Sequence, residues 1–486
     1  MPATVGRILG IEVEFGVLAG AGVPLDDVLV LVPDDHREIP VFLDAVVADR
    51  LDGLDPPGPM SVDDAVGYRA GHPARLGEVL FPGFHRGWHG RVYERGPLNS
   101  FGRDEGFSSV RGVSPAMIVS EGHVSIRVPD GGSDSSDVFF NPSQELNRDL
   151  TVAVLRTASD RWTTVDQYLD AMAATGIRGV RAAENGYRVV MNDWDPRAVA
   201  ACRANLVRNG LTGEVTNRNA NALMYDRRAD IVDLDPFGSP ISFVDAGVNA
   251  ARKLLCVTAT DTAPLCGAHF RSGVRRYSAV PRNTEYHAEM GVRVLLAAIA
   301  RSAARHDIAV RPVLSHATRH YVRTYLALDR GATPANEAID RLGHINHCPE
   351  CLHRTATDGL HADPWSTCPN CSSRQAVTAG PVWLGGTSDS EFIGAVRRNV
   401  TAEMGQASEA RRLLDTLQDE LPHPTHYDQH RLCKRWNRPA ESMDEFLGAL
   451  RDAGFRTSRT HYGGTTFKTD ATVGEMRSVI APPDSA

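Results

Sequence analysis

Between about residue 165 and residue 315 the apolar positions fall into blocks of two alternating periods. Short continuous apolar runs of strand length are followed by longer stretches with helical spacing. Val165 to Ala174 runs into Gly176, and Arg188 to Met191 is a short strand ending at Asn192-Asp193. Pro196 to Asn209 predicts a helix with proline in its first turn, where the missing N–H costs nothing. Ile231 to Leu234 is a strand ending at Asp235, Ile241 to Ala251 a helix, Leu254 to Thr258 a buried strand and Val292 to Ala304 a long apolar helix. Strand–helix alternation of this kind predicts an α/β fold with a parallel sheet, and ligands at the carboxyl ends of its strands.

The flanks read differently. Upstream, Ile118 to Val128 alternates polar and apolar, Asp130 to Asp137 is a loop, and an apolar stretch from Leu150 to Arg156 follows Asn147-Arg148-Asp149, a good helix start. Residues 1–116 show weak periodicity, with one strand at Val28 to Val32 and a Gly-, Pro- and His-rich stretch from Pro82 to Val113. They receive no function, and Met117 is a candidate first residue of the functional protein. Downstream, an amphipathic helix from Met443 to Ala453 precedes a hairpin-like tail around Gly463-Gly464.

Composition adds limits. The chain has 486 residues, 42% hydrophobic and 23% charged, which excludes wholesale disorder and predicts more than one domain. No apolar run reaches spanning length, and Glu12 and Glu14 stand where a signal peptide carries positive charge, so the expected compartment is the cytoplasm with no membrane partner. Residues 1–116 hold 17 acids and 10 bases, so most of the formal net charge of −8 sits there. The remainder is close to neutral, and a polyanionic partner is not excluded. Of 52 bases only Lys253, Lys434 and Lys468 are lysines. Arginine binds phosphate in two-pronged fashion, although a high-GC genome or a salt-adapted host produces the same bias.

Three clusters carry chemistry. Asp235-Pro236-Phe237-Gly238 ends a buried strand; its carboxylate can accept a hydrogen bond from an exocyclic amine while the aromatic ring stacks on a planar base. Asp-Pro at a strand end is also an ordinary turn. Asp170 to Arg181 (DAMAATGIRGVR) fills the first strand–loop–helix and lacks G-x-G-x-x-G, which disfavours a pyrophosphate cofactor. Asp193 stands where an acid binds ribose hydroxyls, and Asn219-Ala220 falls near the next connection, where it can frame an adenine; either can equally cap a helix. Together they fit S-adenosylmethionine better than NAD. Finally, Cys348-x2-Cys351 and Cys368-x2-Cys371, sixteen residues apart, match a tetrahedral zinc template. Four thiolates leave no open position, so the expected Zn2+ is structural. His344, His347, His353 and His361 nearby read as solvated loop histidines. Arg319, His320, Tyr321 and Arg323, and likewise His430, Arg431, Lys434 and Arg435, are candidate RNA contacts or ordinary surface.

The segments Phe139-Phe140-Asn141-Pro142 with Glu145 to Leu150, the GIRGVR loop, Asn192-Asp193, Asp235 to Pro240 (DPFGSP) and Arg456 to Asp470 (RTSRTHYGGTTFKTD) occur in an order that resembles the archaeal and eukaryotic tRNA guanine-N2 dimethyltransferases, which act on the guanine at tRNA position 26. The likeness covers about 117–486. It implies a Rossmann-like S-adenosylmethionine-dependent methyltransferase domain over 117–315 and a smaller α+β tRNA-binding domain over 316–486, with a zinc ribbon at 344–375. By matching motif, Arg148, Arg181, Asp193, Asn219 and Ala220 would hold S-adenosylmethionine. Asp235 would be the catalytic acid/base, with Phe237 and Phe140 flanking the base. The family usually has Asp-Ala where this chain has Asn219-Ala220. Two alternatives stay open on the residues alone: amine methylation of another substrate, such as ribosomal RNA, and a non-catalytic zinc-ribbon RNA-binding protein.

Overall fold

The computed structural model describes residues 117–128, 138–162 and 164–481, together with the backbone of short paired strands within 1–116. The chain divides into two units, 1–109 and 110–486. In the first, Thr4–Ile8 pairs with Ile11–Phe15, Leu29–Leu31 with Glu38–Pro40, and Gly77–Glu78 with Arg91–Val92. The strand expected at Val28 to Val32 is therefore present. The Gly-, Pro- and His-rich stretch, apart from Arg91–Val92, and the loop at 130–137 lie outside the described residues.

The second unit opens with a hairpin of β1 (Met117–Glu121) and β2 (Val124–Val128), then α1 (Glu145–Arg161). Next come β3 (Gln167–Asp170), α2 (Ile177–Glu184), β4 (Arg188–Asn192), α3 (Pro196–Arg208), β5 (Glu214–Thr216), α4 (Ala220–Asp226), β6 (Ala229–Leu234), α5 (Ile241–Ala250) and β7 (Ala251–Ala259). After these follow α6 (Phe270–Tyr277), α7 (His287–Ala304), β8 (Ile308–Thr318) and β9 (Tyr321–Arg330).

Seven strands form one sheet in the order β5-β4-β3-β6-β7-β9-β8. The first five are parallel, and β9 inserts antiparallel between β7 and β8. The strand order reverses between β3 and β6, so the crevice at their carboxyl ends is where an open α/β sheet takes its ligand. Neighbours along β6 go to opposite faces: Val232 joins the apolar layer with α5 and α7, and Ile231 the layer with α1 and α2. Burial on both faces explains why the strands read as continuous apolar runs.

Three boundaries differ from the sequence expectation. Helix α1 starts at Glu145, so Asn147, Arg148 and Asp149 are not its cap but buried positions inside it, each with a polar partner. Helix α7 starts at His287 instead of Val292, because the charged Glu289 and Arg293 are buried as a pair. The sheet runs on to Arg330, past residue 315, because the β8–β9 hairpin zips onto β7.

Beyond the sheet, β10 (Leu342–His347) pairs with β11 (Arg354–Asp358) and β12 (Val377–Trp383). Helices α8 (Ser390–Arg398) and α9 (Ala407–Asp419) pack beside α1. The chain ends in β13 (Tyr427–Asp428), α10 (Gln429–Arg435), α11 (Met443–Asp452), β14 (Thr457–Arg459), β15 (Thr466–Thr469) and α12 (Val473–Ile480) around a separate core that includes Phe446 and Phe467. The expected tail hairpin is β14 with β15.

Candidate active site

The carboxyl ends of β3, β4 and β6 each deliver an aspartate. Asp170 ends β3 and lies opposite Asp233 in the β3–β6 register, while Asp193 follows β4 and Asp235 follows β6. Asp170 is fully buried; burial first, and the Asp233 charge second, push its carboxyl up to about 8. It accepts a hydrogen bond from the Gly179 amide. Burial alone would raise Asp233 as well, but the guanidinium groups of Arg323 and Arg178 outweigh it and hold that carboxyl below the usual range. Arg323 grips both Asp233 oxygens at 2.7 Å, and the Tyr168 hydroxyl donates to Oδ2 at 2.8 Å.

Asp235 is different, because it keeps an opening. Its side chain is about one quarter exposed. Arg178 Nε donates to Oδ2 at 2.7 Å; Nη2 lies equally near but is not aligned as a hydrogen bond. Oδ1 has no hydrogen-bond partner among the described residues. Arg178 is buried in the first turn of α2, anchored on the Thr151 hydroxyl at 3.2 Å. A buried guanidinium on one oxygen fixes the carboxylate in place and leaves its second oxygen free to accept a hydrogen.

The loop from Ala171 to Gly176 is shaped by its neighbours. Gly176 adopts φ 80°, and a Cβ on Gly179 would run into the Met191 thioether, so α2 packs close on β4. Asp193 Oδ2 accepts from the Ala174 amide at 2.9 Å and Oδ1 from the Asp195 amide at 3.0 Å. Asn192 ties three loop ends together, donating to the Ala171 and Arg218 carbonyls and accepting from the Arg218 amide. Asn219 is exposed and caps α4 by accepting from the Ala222 amide at 3.1 Å, with Ala220 buried behind it. Trp194, next to Asp193, is 82% exposed, which is costly for an indole that covers nothing.

Arg148 and Arg181 lie together but are not open to solvent. Arg148 Nε donates to Glu121 Oε2 at 2.7 Å, while Arg181 reaches Glu121 at 3.1 Å and Asp149 at 2.6 Å. Two arginines and two acids, all buried, neutralise one another. Of the aromatics, Phe237 is 73% exposed and its ring meets Phe139, itself 49% exposed, edge-on at 4.5 Å between centroids. Phe140, expected from the sequence to flank the base with Phe237, is half-buried under Arg148, its ring centre 5.1 Å from the guanidinium carbon. Two consecutive aromatics on an extended segment point to opposite sides, and the sequence does not say which side is the site.

The basic candidates also separate. Tyr321 and Arg323 are buried and so are not RNA contacts; Arg319 and His320 form the exposed β8–β9 turn, with Arg319 bonded to the Ser143 carbonyl and Glu409. His430, Arg431, Lys434 and Arg435 are exposed on α10, with Arg435 bonded to the Pro349 carbonyl.

The four patterned cysteines converge, all ligand sulfurs lying within 4.8 Å of one another. Cys348–Cys371 and Cys351–Cys368 sulfurs are 3.6 Å apart. A tetrahedron of thiolates about 2.3 Å from a metal puts its sulfurs about 3.8 Å apart, so the set fits an ion such as zinc. The two Cys-x2-Cys turns repeat one geometry. The amides of Leu352 and Ser372 donate to the carbonyls of Cys348 and Cys368, and the amides of Cys348 and Cys368 donate in turn to the carbonyls of His353 and Ser373. Leu352 and Ser372 both take positive φ. Two of the neighbouring histidines are not the solvated loop residues expected: His344 and His347 are buried in β10, where backbone pairing covers them, and His347 Nε2 faces Glu285 at 3.5 Å, while His353 stacks on Trp365.

Comparison with known proteins gives a consistent picture. Residues 122–481 match the model of a family described as N2,N2-dimethylguanosine tRNA methyltransferase. A tRNA (guanine(26)-N(2))-dimethyltransferase of Haloarcula marismortui is 60% identical over 367 residues, covering 75% of this chain and 100% of the relative. Its namesake in Methanosarcina mazei is 42% identical, covering 74% of this chain and 97% of the relative. Among solved structures, Trm1 from Pyrococcus horikoshii with S-adenosyl-L-methionine superimposes with a TM-score of 0.67 at 32% identity, covering 75% of this chain and 99% of that one.

Proposed function

The chain belongs to the N2,N2-dimethylguanosine tRNA methyltransferase family, and from that premise we propose that it methylates the exocyclic N2 of the guanine at position 26 of tRNA, first once and then a second time, with S-adenosylmethionine as donor. The observation that carries the reading is Asp235: a carboxylate bound by Arg178 on one oxygen and unoccupied on the other, at the switch point of the sheet, beside an exposed aromatic pair. The donor supplies an electrophilic methyl group on a sulfonium. Its candidate holders are Asp193 and the braced loop before α2, exposed Trp194, and the Asn219-Ala220 turn; Arg148 and Arg181 support them from behind through Glu121. An uncharged Asn219 can still accept from an adenine amine.

The guanine amine is a poor nucleophile, since its lone pair is delocalised into the ring. Asp235 Oδ1 accepts one amine hydrogen, which localises the lone pair and orients it; Arg178 stops the carboxylate from rotating. Phe139 and Phe237 offer the flipped base a stacking platform. Phe139→Ala is expected to cost about 1–3 kcal/mol of base stacking, read as a fall of about 5- to 150-fold in kcat/KM, whereas Phe140→Ala should lower thermal stability first. Equal kinetic losses in both variants would assign the platform wrongly.

The four cysteines hold structural zinc in this reading, tying β10 and β11 to the Cys368 turn. Purified protein should contain about one equivalent of zinc by elemental analysis. Cys351→Ser with Cys371→Ser should lose it and unfold at lower temperature, and a metal-free wild type of unchanged stability would defeat the assignment. Residues beyond Arg330 would form the tRNA-binding part, with the cytoplasm as the compartment. No described helix is long and apolar enough to cross a membrane.

The deciding experiment is incubation with an unmodified tRNA transcript and labelled donor, followed by nuclease digestion. N2-methyl- and N2,N2-dimethylguanosine should appear, and a transcript with adenine at position 26 should remain unlabelled. Label at another nucleotide would overturn the reading.

A further inference from the structure

Helix α6 is chemically unlike the rest of the site's rim. The stretch from Ala268 to Arg276 (AHFRSGVRR) holds three arginines and a histidine with no acid, in a chain whose net charge is −8. Gly273 and Tyr277 turn inward, while His269, Arg271, Val274, Arg275 and Arg276 are exposed. Arg276 is bonded to Asp261 at 3.1 Å. Arg271 and Arg275, one turn apart on the same face, have no ion pair or hydrogen bond among the described residues. Phe270 is 40% exposed, with the Arg282 guanidinium 5.2 Å from its ring centre.

This helix is fastened to the catalytic loop. The Tyr277 hydroxyl donates to Asp261 Oδ1 at 2.6 Å and accepts from Ser239 Oγ at 3.0 Å. The Gly238 amide donates to Thr260 Oγ1 at 2.8 Å, and the Thr260 amide to the Gly238 carbonyl at 2.9 Å. The loop that carries Asp235 and Phe237 is thus hydrogen-bonded directly to the base of α6. Two unpaired guanidinium groups beside an exposed aromatic ring, with no carboxylate to satisfy them, match a nucleic-acid backbone with an unstacked base.

We propose that Arg271 and Arg275 bind phosphates of the tRNA strand directly flanking the target guanine, with Phe270 against a neighbouring base, so that the strand is gripped on a helix bonded to the loop that carries Asp235. The assignment rests on the family reading for its substrate class but adds a site to it. Clamping the backbone beside the extruded nucleotide prevents the strand from relaxing and drawing the base back into its stack.

The test compares Arg271→Gln/Arg275→Gln with Arg252→Gln/Lys253→Gln, a charge-matched pair at the amino end of β7, across the sheet from the site. Affinity for unmodified tRNA is measured across a potassium chloride series. In the first pair it should fall at least tenfold, and the slope of log affinity against log salt should shrink by about 1.4–1.8, the loss of two phosphate contacts. KM for tRNA should rise with kcat at saturation changed less than threefold, S-adenosylmethionine affinity should hold, and Arg271→Lys/Arg275→Lys should recover most of the binding. An unchanged slope and KM, or an equal loss in the Arg252/Lys253 pair, would overturn the proposal. Wild-type protein that binds tRNA through these arginines yet leaves guanine 26 unmodified would sink the functional reading instead.

Discussion

Asp235→Ala is expected to slow methyl transfer by about 10²–10⁴-fold or more, while tRNA affinity should stay within a few-fold of wild type. The size of the effect follows from the absence of any substitute. Asp170 is largely protonated near neutral pH, having been pushed up to about 8, and both oxygens of Asp233 are held by Arg323. Both oxygens of Asp193 accept loop amides, so among the described strand-end carboxylates Asp235 is left to accept from the amine. The variant also leaves buried Arg178 without its Asp235 partner, which lowers stability. Asp235→Asn separates the two consequences: it retains an oxygen for Arg178, and so more of the stability, but supplies no charge to the amine. Single-turnover methylation, thermal unfolding and tRNA binding on all three proteins make the comparison. Appreciable turnover in either variant would remove Asp235 from the chemistry.

The second large effect lies away from the site. Lys468→Met should cost about 3–5 kcal/mol of stability at neutral pH. Lys468 is one of three lysines in the chain and is wholly buried, with Nζ 3.1 Å from Glu289 and 2.8 Å from Glu420. Glu289 also holds Arg293 at 2.7 Å and His426 Nδ1 at 2.9 Å, and Glu420 holds His461 Nδ1 at 2.8 Å. The cluster fastens α7, on the sheet, to β15 in the tail. Burial alone would raise both carboxyls, but Lys468 acting with His461 at Glu420, and with Arg293 and His426 at Glu289, outweighs it; Glu420 is lowered to about 2 and Glu289 lies well below its ordinary value. Depressed acids stabilise the fold above their unfolded value, near 4.5, and that contribution drains away as pH falls toward 2. The penalty of Lys468→Met should therefore be full above about pH 5 and shrink below it. Adding Glu289→Gln should restore part of the loss, since one stranded charge disappears. Denaturant unfolding from pH 3 to 7 measures this, and a pH-independent penalty would mean that lost packing, not charge, is responsible.

This cluster shows what the tail motif is for. His461 and Lys468 stand out in the sequence only as part of a familiar stretch, but the fold pairs them with acids far upstream, His461 with Glu420 and Lys468 with Glu289. Arg178 was equally hidden. It lies within the GIRGVR segment, yet the sequence links it to no partner; its contact with Asp235 exists only because β3 and β6 are neighbours. Glu121, which binds Arg148 and Arg181 together, is read from the sequence only as a polar residue in an alternating stretch.

By itself the sequence determined the parallel part of the sheet, the aspartate at the end of β6 and the four-cysteine set, because each is written in contiguous residues: apolar period, a strand-ending Asp-Pro, and Cys-x2-Cys spacing. Only the tertiary structure decided which of two phenylalanines faces the site, which arginines are exposed and which are buried, and which carboxylate keeps a free oxygen. Those outcomes depend on what surrounds each group once strands distant in the chain lie side by side, and burial and charge pairing are properties of that surrounding rather than of the residue.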